Sequence, residues 1–346
     1  MTEATEEALL SAFLNEFRPF PQGLHPDLLS RRMGSETDRL PGIRERLARD
    51  GFVFEDDEEG RWRLAGKPDR LFPYWIRAGL RCDRLGQLVF YKDEVGSTQD
   101  VAFELMVEGR PHGTLVIAEH QTGGRGRGQR VWTSHRSKSL LFSMLLDLEP
   151  PDTFASVLTI AIATAVARAM QEVAGVPARI KFPNDILVRG KKVAGILLEV
   201  RDYGVPGRVV AGVGINVNQA PDDFEGELEG MATSLREESR DKQPVPRPRL
   251  LRAILRGLEQ WLDKIAQGEY ADLENAWNRF SAMEDKEVRF RCGNETVSGR
   301  VLDASIREGL LVRLPTGEER RCRLEHLSDG ELPNPPAWPG GGGNGR

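Results

Sequence analysis

At 346 residues the chain is long enough for two to three domains of about 150 residues each, which excludes a single small module. Its 39% hydrophobic and 29% charged residues are the balance of a globular protein, not of a disordered or fibrous one. Lys plus Arg number 48 and Asp plus Glu 53, a formal charge of −5, which excludes a global attraction to nucleic acid or an anionic membrane and leaves any basic site local.

Residues 1–66 read as three helices and a hairpin. Leu9, Leu10, Phe13, Leu14 and Phe17 mark one face of a helix over Glu6–Phe17, and a second short helix runs over Pro26–Met33 to Gly34. Ser35 is the expected N-cap of a third, striped by Leu40, Ile43 and Leu47 and stopped at Asp50-Gly51. Phe52-Val-Phe and Arg61-Trp-Arg-Leu then flank the polar turn Asp56 to Gly60, and this order suggests a winged helix-turn-helix. Residues 67–86 are read as a linker with one short helix.

From residue 87 to 282 the pattern is mixed. Strands are expected at Leu88–Lys92, Thr114–Glu119, Leu140–Leu148, Arg179–Phe182, Ile186–Val188, Lys192–Val200 and Val209–Asn218, with helices at Thr98–Glu108 and Phe154–Val173. After the connector Gln243-Pro-Val-Pro-Arg-Pro, helices are expected at Arg249–Ala266 and Tyr270–Ser281. Residues 283–331 carry four short strands separated by Gly-Asn, Glu-Gly and Thr-Gly turns, the pattern of a small barrel, and the tail 332–346 is too rich in glycine to form a core. The class is α+β: a winged-helix module, a central mixed sheet with packed helices, and a small C-terminal barrel. The three cysteines, Cys82, Cys292 and Cys322, form no CxxC pair and suggest neither a disulfide framework nor a zinc site. An acidic start, no apolar run of about 18 residues and no disulfide pattern read together as a cytoplasmic protein without a membrane partner.

The most unusual stretch is Gln121 to Trp132, directly after a buried strand. Gly123, Gly124, Gly126 and Gly128 let the backbone approach a ligand, and Arg125, Arg127 and Arg130 supply forked donors for phosphate or carboxylate. It is neither a Walker loop nor a dinucleotide fingerprint; a solvated basic loop and an RNA-binding Arg-Gly segment are the alternatives. In Lys181-Phe-Pro-Asn-Asp185 the proline fixes a turn that presents an amide and a carboxylate at a sheet edge, although such a turn taken alone is more often only a turn. Lys192 opens an otherwise apolar strand, where packing gives no reason for a lysine, and Ala194-Gly195 leaves space beside it. Only nine of the 48 basic residues are lysine, and Lys181, Lys191 and Lys192 fall within twelve positions. Gly212-Val-Gly-Ile-Asn-Val-Asn218 ends in asparagines that read equally as strand caps or ligand contacts, and Ser97-Thr98 reads as an N-cap. Together these motifs supply what joining a carboxylate to a nucleotide phosphate needs. Two anions about 4 Å apart repel by roughly 4 kcal/mol at an effective dielectric of about 20, so cations must be in place, and Arg127 and Lys192 are the candidates.

Gly-Gly-Arg-Gly-Arg-Gly, Lys-Phe-Pro-Asn-Asp, Lys-Val-Ala-Gly-Ile-Leu-Leu-Glu and Gly-Ile-Asn-Val-Asn, in this order and spacing, resemble the motifs of the biotin protein ligases over about Val89 to Leu327. The resemblance implies a central domain similar to class II aminoacyl-tRNA synthetases, a C-terminal SH3-like barrel, and a two-step reaction. Biotin and Mg-ATP, hence Mg2+, give biotinyl-5′-AMP, which a lysine of a biotin carboxyl carrier domain then attacks. It further implies that Ser97, Thr98, Gln121 and Gly124 line the biotin pocket, with Arg125 in the adjoining loop and Gly195 leaving room. Arg127 would lie over the adenylate, held by Asp185, and Lys192 would be the main catalytic cation. Trp132, Asn184 and Asn216 would hold the nucleotide. No protein metal site is expected. Members often pair through the central sheet, so a homodimer is part of what the resemblance implies. Phe182 stands where the family usually has Trp, and Gly128-Gln129-Arg130 departs from the usual Gly before the last arginine.

Some members of that family are also operon repressors. Residues 1–66 here hold nine arginines and fourteen acids, and phosphate contact dominates affinity for DNA, so a winged helix without operator binding is preferred. A biotin-responsive repressor as main role and a lipoate or octanoyl ligase of the sister family are the alternative readings.

Overall fold

The computed structural model describes residues 3–13, 23–34, 36–127, 130–147, 154–182, 184–200, 207–282, 287–292, 295–306, 308–323 and 327–331. Helices α1 (Glu3–Phe13), α2 (Pro26–Met33) and α3 (Leu40–Arg49) close on Leu29 and on Leu9, Leu10, Leu40, Ile43 and Leu47, whose spacing predicted the first and third. The expected cap Ser35 lies outside the described residues, as do residues 14–22. Pro41 falls in the first turn of α3, where its missing N–H has no helical partner to lose. The hairpin β1 (Val53–Asp56) and β2 (Trp62–Gly66) follows. Arg44 of α3 holds it, lying 4.8 Å over the Trp62 ring and gripping Asp56 with two bonds of 2.6 and 2.7 Å.

Residues 67–86 are more than the linker the sequence suggested. Their helix α4 (Pro73–Arg77) and the residue after it send Tyr74, Trp75 and Ala78 into the N-terminal core, while Leu71, Ile76, Cys82 and Leu85 of the same segment enter the main core. The reason is the alternation of large apolar side chains on a helix too short to be buried on one side only. Arg77 pairs with Glu7 at 2.7 Å, and Arg252 donates to the carbonyls of Trp75 and Ala78 from above the Trp75 ring.

The central domain runs β3 (Val89–Val95), α5 (Thr98–Val107), β4 (Leu115–Gln121), β5 (Gly124–Arg125), β6 (Val131–Trp132), β7 (Ser139–Asp147), α6 (Phe154–Ala174), β8 (Ala178–Lys181), β9 (Asp185–Val188), β10 (Lys191–Glu199), β11 (Arg208–Asn216), α7 (Leu235–Glu238), α8 (Arg247–Ala266) and α9 (Tyr270–Phe280). Seven strands form one sheet in the order β3-β4-β7-β11-β10-β9-β8; only β3 and β4 are parallel, and α5 is the crossover such a pair requires. By length and composition α6 could cross a membrane over Ala155–Ala174, although Arg168 and Glu172 interrupt its apolar run, and it is a core helix packed between α8, α9 and the sheet. The C-terminal strands β12 (Glu287–Cys292), β13 (Glu295–Ser305), β14 (Gly309–Arg313), β15 (Glu319–Cys322) and β16 (Leu327–Glu331) make an antiparallel sheet ordered β15-β14-β13-β12-β16, one strand more than predicted. Glu274 of α9 fastens it by accepting from Ile306 N at 2.6 Å and Ser305 Oγ at 3.0 Å. The tail 332–346 lies outside the described residues.

Strand alternation divides the central sheet between two cores. Ile117, Phe142, Met144, Ala211 and Val213 meet the α6 layer; Val116, Leu145 and Val210 meet Ala102, Phe103 and Met106 of α5. Helix α5 begins at Thr98 and covers only part of its face. Beyond that end the same face carries the glycines Gly212, Gly214 and Gly195, and there the sheet is open.

One buried cluster fixes these layers. The Arg247 side chain has 0% exposure and donates to Asp69 at 2.9 Å, Glu119 at 2.7 Å and the Ser139 carbonyl at 3.0 Å. Glu119, 1% exposed, also accepts from the Tyr91 hydroxyl at 3.2 Å, and burial pushes that phenol's pKa up so that it remains a donor. Removing one partner of a buried pair strands the others without compensation. Arg247→Met is expected to lower the unfolding free energy by about 3–5 kcal/mol, read from the urea midpoint.

Candidate active site

The open part of the sheet forms a cleft walled by α5, β4, the glycine loop, β10 and β11. Ser97, Thr98, Gln121, Arg125, Arg127, Trp132, Asn184, Lys192 and Gly195 all line it, nine of the residues named from sequence. Gln99, Gly212 and Gly214 line it as well. Of the motif Gly212-Val-Gly-Ile-Asn-Val-Asn218 it is thus the glycine end that lines the cleft, and nothing local distinguishes Gln99.

Each wall has a cause in the chain. Ser97 caps α5 by accepting from Gln99 N, so the helix starts at the cleft. Gln121 ends β4 with its Oε1 bonded by both Thr98 N at 2.7 Å and Thr98 Oγ1 at 2.9 Å. Gln99 turns inward to donate to the Leu197 carbonyl at 3.1 Å. It fits because a Cβ on Gly212 would stand 2.8 Å from its amide carbon.

Lys192 reaches this face because of a bulge. Residues 192 and 195 would point to opposite sides of a regular strand, but the β9–β10 register slips between Lys192 and Ala194. The lysine Nζ would consequently lie 3.6 Å from a Cβ on Gly195. The preceding turn is Arg189-Gly190 with φ of 47° and 84°, a two-residue hairpin of the kind predicted.

Gly195 and Gly214 face each other across β10 and β11, and the Trp132 indole lies on them. A Cβ would stand 2.6 Å from Trp132 Cε2 at Gly214 and 3.1 Å from Cζ3 at Gly195. The indole N–H is buried with no hydrogen-bond partner among the described residues. Gly124 is not part of the cleft wall. It pairs with Trp132 in the β5–β6 ribbon, where a Cβ would stand 2.5 Å from the Trp132 carbonyl and 3.1 Å from Gln121 Nε2, so hairpin closure requires a glycine there.

The cations are held in three ways. Arg125 is clasped by Asp100 at 2.7 Å and Glu199 at 3.2 Å, and these bonds, the one to Asp100 foremost, raise its pKa above the usual guanidinium value. It therefore straps the glycine loop to α5 and β10. Lys192 Nζ lies 2.7 Å from Asp185 Oδ1, with side chains 38% and 21% exposed. Arg127 donates to the Asn184 amide oxygen at 3.3 Å, and Asn184 is itself tied to the Ile196 carbonyl. The expectation that Asp185 holds Arg127 is thereby corrected: the bulge brings Lys192 to the carboxylate, and the neutral amide beside it takes the arginine. Asn216 also lies outside the cleft wall, buried with its Oδ1 accepting from Gln219 Nε2 at 3.1 Å. Asn218 is structural, exchanging two bonds with Val245. Phe182 keeps an aromatic contact, 6.3 Å from the buried Trp277 ring. Gly128 and Gln129 lie outside the described residues. Among those described, no group of three or more His, Cys, Asp or Glu is gathered to hold a metal ion.

The model of the Biotin/lipoate A/B protein ligase family matches residues 93–216, the stretch that builds this cleft. The bifunctional ligase/repressor BirA of Bacillus subtilis (strain 168) is 37% identical over 276 residues, covering 79% of this chain and 83% of that protein. The biotin–[acetyl-CoA-carboxylase] ligase of Paracoccus denitrificans is 31% identical over 211 residues, 59% of this chain and 85% of that one. Among solved structures, biotin protein ligase from Aquifex aeolicus in complex with biotin and ATP superposes with a TM-score of 0.61 at 27% identity, covering 71% of this chain and 100% of that chain.

The close contact of Trp132 with the glycines is open to a double-mutant test. Gly214→Ala is expected to destabilise by about 1–3 kcal/mol in urea unfolding, and by under about 0.5 kcal/mol in a Trp132→Ala background, where the clash has gone.

Proposed function

The chain belongs to the biotin protein ligase family, and on that premise we propose how its own residues carry out the reaction. The protein is an ATP-dependent, AMP-forming ligase that activates biotin to biotinyl-5′-AMP and passes it to a carrier protein of a biotin-dependent carboxylase. In the first step a biotin carboxylate oxygen bonds to the α-phosphorus of ATP while the bond to pyrophosphate breaks. In the second a carrier lysine amine attacks the acyl carbon, AMP leaves with the bonding electrons, and the amine loses a proton.

Lys192 and Arg127 are the catalytic cations. The approach of carboxylate to phosphate costs roughly 4 kcal/mol at about 4 Å and an effective dielectric of about 20, and two cations already on the cleft wall offset it without reorganisation. The observation that carries this reading is the bulge that turns Lys192 onto the cleft face beside Asp185. Asp185 keeps the ammonium oriented until the substrate carboxylate takes its place. Ser97, Thr98, Gln121 and Gly195 receive biotin, Arg125 acts as the strap of the loop, and Trp132 and Asn184 border the nucleotide. Mg2+ would be supplied with the triphosphate; Asp185 is engaged with Lys192, which fits an ion that would be held chiefly by phosphate and water oxygens. The substrates are those of the cytoplasm, where we place the reaction.

The three helices and hairpin form a winged helix-turn-helix that does not read an operator, and the C-terminal sheet is an SH3-like barrel. In the N-terminal module Arg39, Arg44, Arg46 and Arg49 of the third helix and its lead-in pair with Glu36, Asp56, Glu6 and Glu45 at 2.6–3.1 Å. Arginines so engaged must give up these partners before they can contact phosphate, which weakens the case for a repressor.

Lys192→Ala is expected to cut incorporation of labelled biotin into a carboxyl carrier domain by about 10²–10³-fold with the far-UV circular dichroism unchanged. In gel shifts with DNA upstream of its own biotin genes, with biotin and ATP present, no specific band is expected; tight sequence-specific binding would restore the repressor.

A further inference from the structure

Ser143 is a fully buried hydroxyl in the strand β7, which is apolar from Leu140 to Leu146 except at this position. Its Oγ lies 2.8 Å from Thr98 Oγ1. The direction of that bond is fixed by its neighbours. The Thr98 backbone N–H, which can only donate, meets the Gln121 side chain at 2.7 Å, so the amide atom there is the oxygen. The Thr98 hydroxyl has one proton and gives it to the same oxygen at 2.9 Å. Towards Ser143 it can then only accept. The order is Ser143 Oγ–H to Thr98 Oγ1, and Thr98 Oγ1–H to Gln121 Oε1.

This chain determines what the inner end of the cleft offers. Gln121 Nε2 retains its N–H donors, since no protein partner takes them among the described residues, and Thr98 Oγ1 retains one lone pair. A donor and an acceptor side by side complement the edge of a cyclic urea, which presents a carbonyl and an N–H together; a dithiolane or a methyl end presents neither. We propose that Ser143 is a positioning residue for recognition of the ureido ring: by donating to Thr98 it holds that hydroxyl as an acceptor and the Gln121 amide with its nitrogen facing the ligand. The proposal rests on the reading of the cleft as the biotin site. Ser143 itself is fully buried and lies outside the cleft lining.

The test is steady-state biotinylation of a carboxyl carrier domain by the wild type, Ser143→Ala, Thr98→Val and the double variant. Losing one neutral buried hydrogen bond should raise the KM for biotin about 3- to 10-fold in Ser143→Ala, with kcat and the KM for ATP within about twofold of wild type. In the Thr98→Val background the same change should leave the KM for biotin within about twofold, because the relay is already broken. Ser143→Cys, of similar volume and a weaker donor, should lie between wild type and alanine and serves if the alanine variant folds poorly. An unchanged KM for biotin in Ser143→Ala, an equal rise in the KM for ATP, or a full effect in the Thr98→Val background overturns the proposal while leaving the ligase intact. A wild type that does not transfer biotin removes the underlying reading itself, and the two failures are distinguished by that control.

Discussion

A guanidinium without solvent contact is costly to bury, and Arg247 is tolerated only because two carboxylates and backbone carbonyls converge on it. Those partners come from segments far apart in the chain: Asp69 after the N-terminal hairpin, Glu119 near the end of β4, Ser139 at the start of β7. Asn218, just past β11, joins the same cluster through Asp69. Three strands are thus pinned at the ends that face the cleft. Gln121 follows Glu119 by two residues, Ser143 follows Ser139 by four, and Gly214 precedes Asn218 by four. The groups that build and support the cleft inherit their spacing from a charge cluster outside its lining.

Within that frame, removal of side chains makes the cleft as much as their presence does. Gly195 and Gly214 leave a bare patch of sheet on which an indole can lie, and Gly212 admits Gln99. The polar groups are then brought to the rim by secondary structure: the start of α5, the end of β4 and the bulge of β10. Of the cations, Arg125 is neutralised by two carboxylates and acts mechanically, and among the described residues Lys192 has one carboxylate and Arg127 only an amide. Their uncompensated charge therefore increases from the strap towards the place where two anions must meet.

How much of this the sequence disclosed follows the range of the interactions. The helices and central strands were legible because periodicity is local; Arg127, Lys192 and Asn184 were legible because motifs place them in consecutive residues. The partner of Asp185 was not, since the slip between Lys192 and Ala194 that turns the lysine inward leaves no mark in composition. Gly124 was assigned to the pocket by the family resemblance alone, and its pairing with Trp132 is a contact that motif position does not disclose. Arg247 looked like part of a proline-rich connector, and Ser143 like one polar residue in a strand, because what gives each its role lies a hundred residues away or tens of residues back.

The N-terminal module illustrates the same dependence on long-range contacts. Arg39, Arg44, Arg46, Arg49, Arg61 and Arg63 of the module pair with its own acids, and its attachment to the main core is what distinguishes it. Tyr74, Trp75 and Ala78 belong to its core while Leu71, Ile76 and Leu85 belong to the main one, so the two cores share a single short segment. Arg252 fixes that segment from α8, the helix whose first residue is Arg247. Asp69 lies four residues before the segment's helix. A module joined in this way braces the cluster that sets the cleft, and a chain that had no use for operator binding would still have a physical reason to keep it.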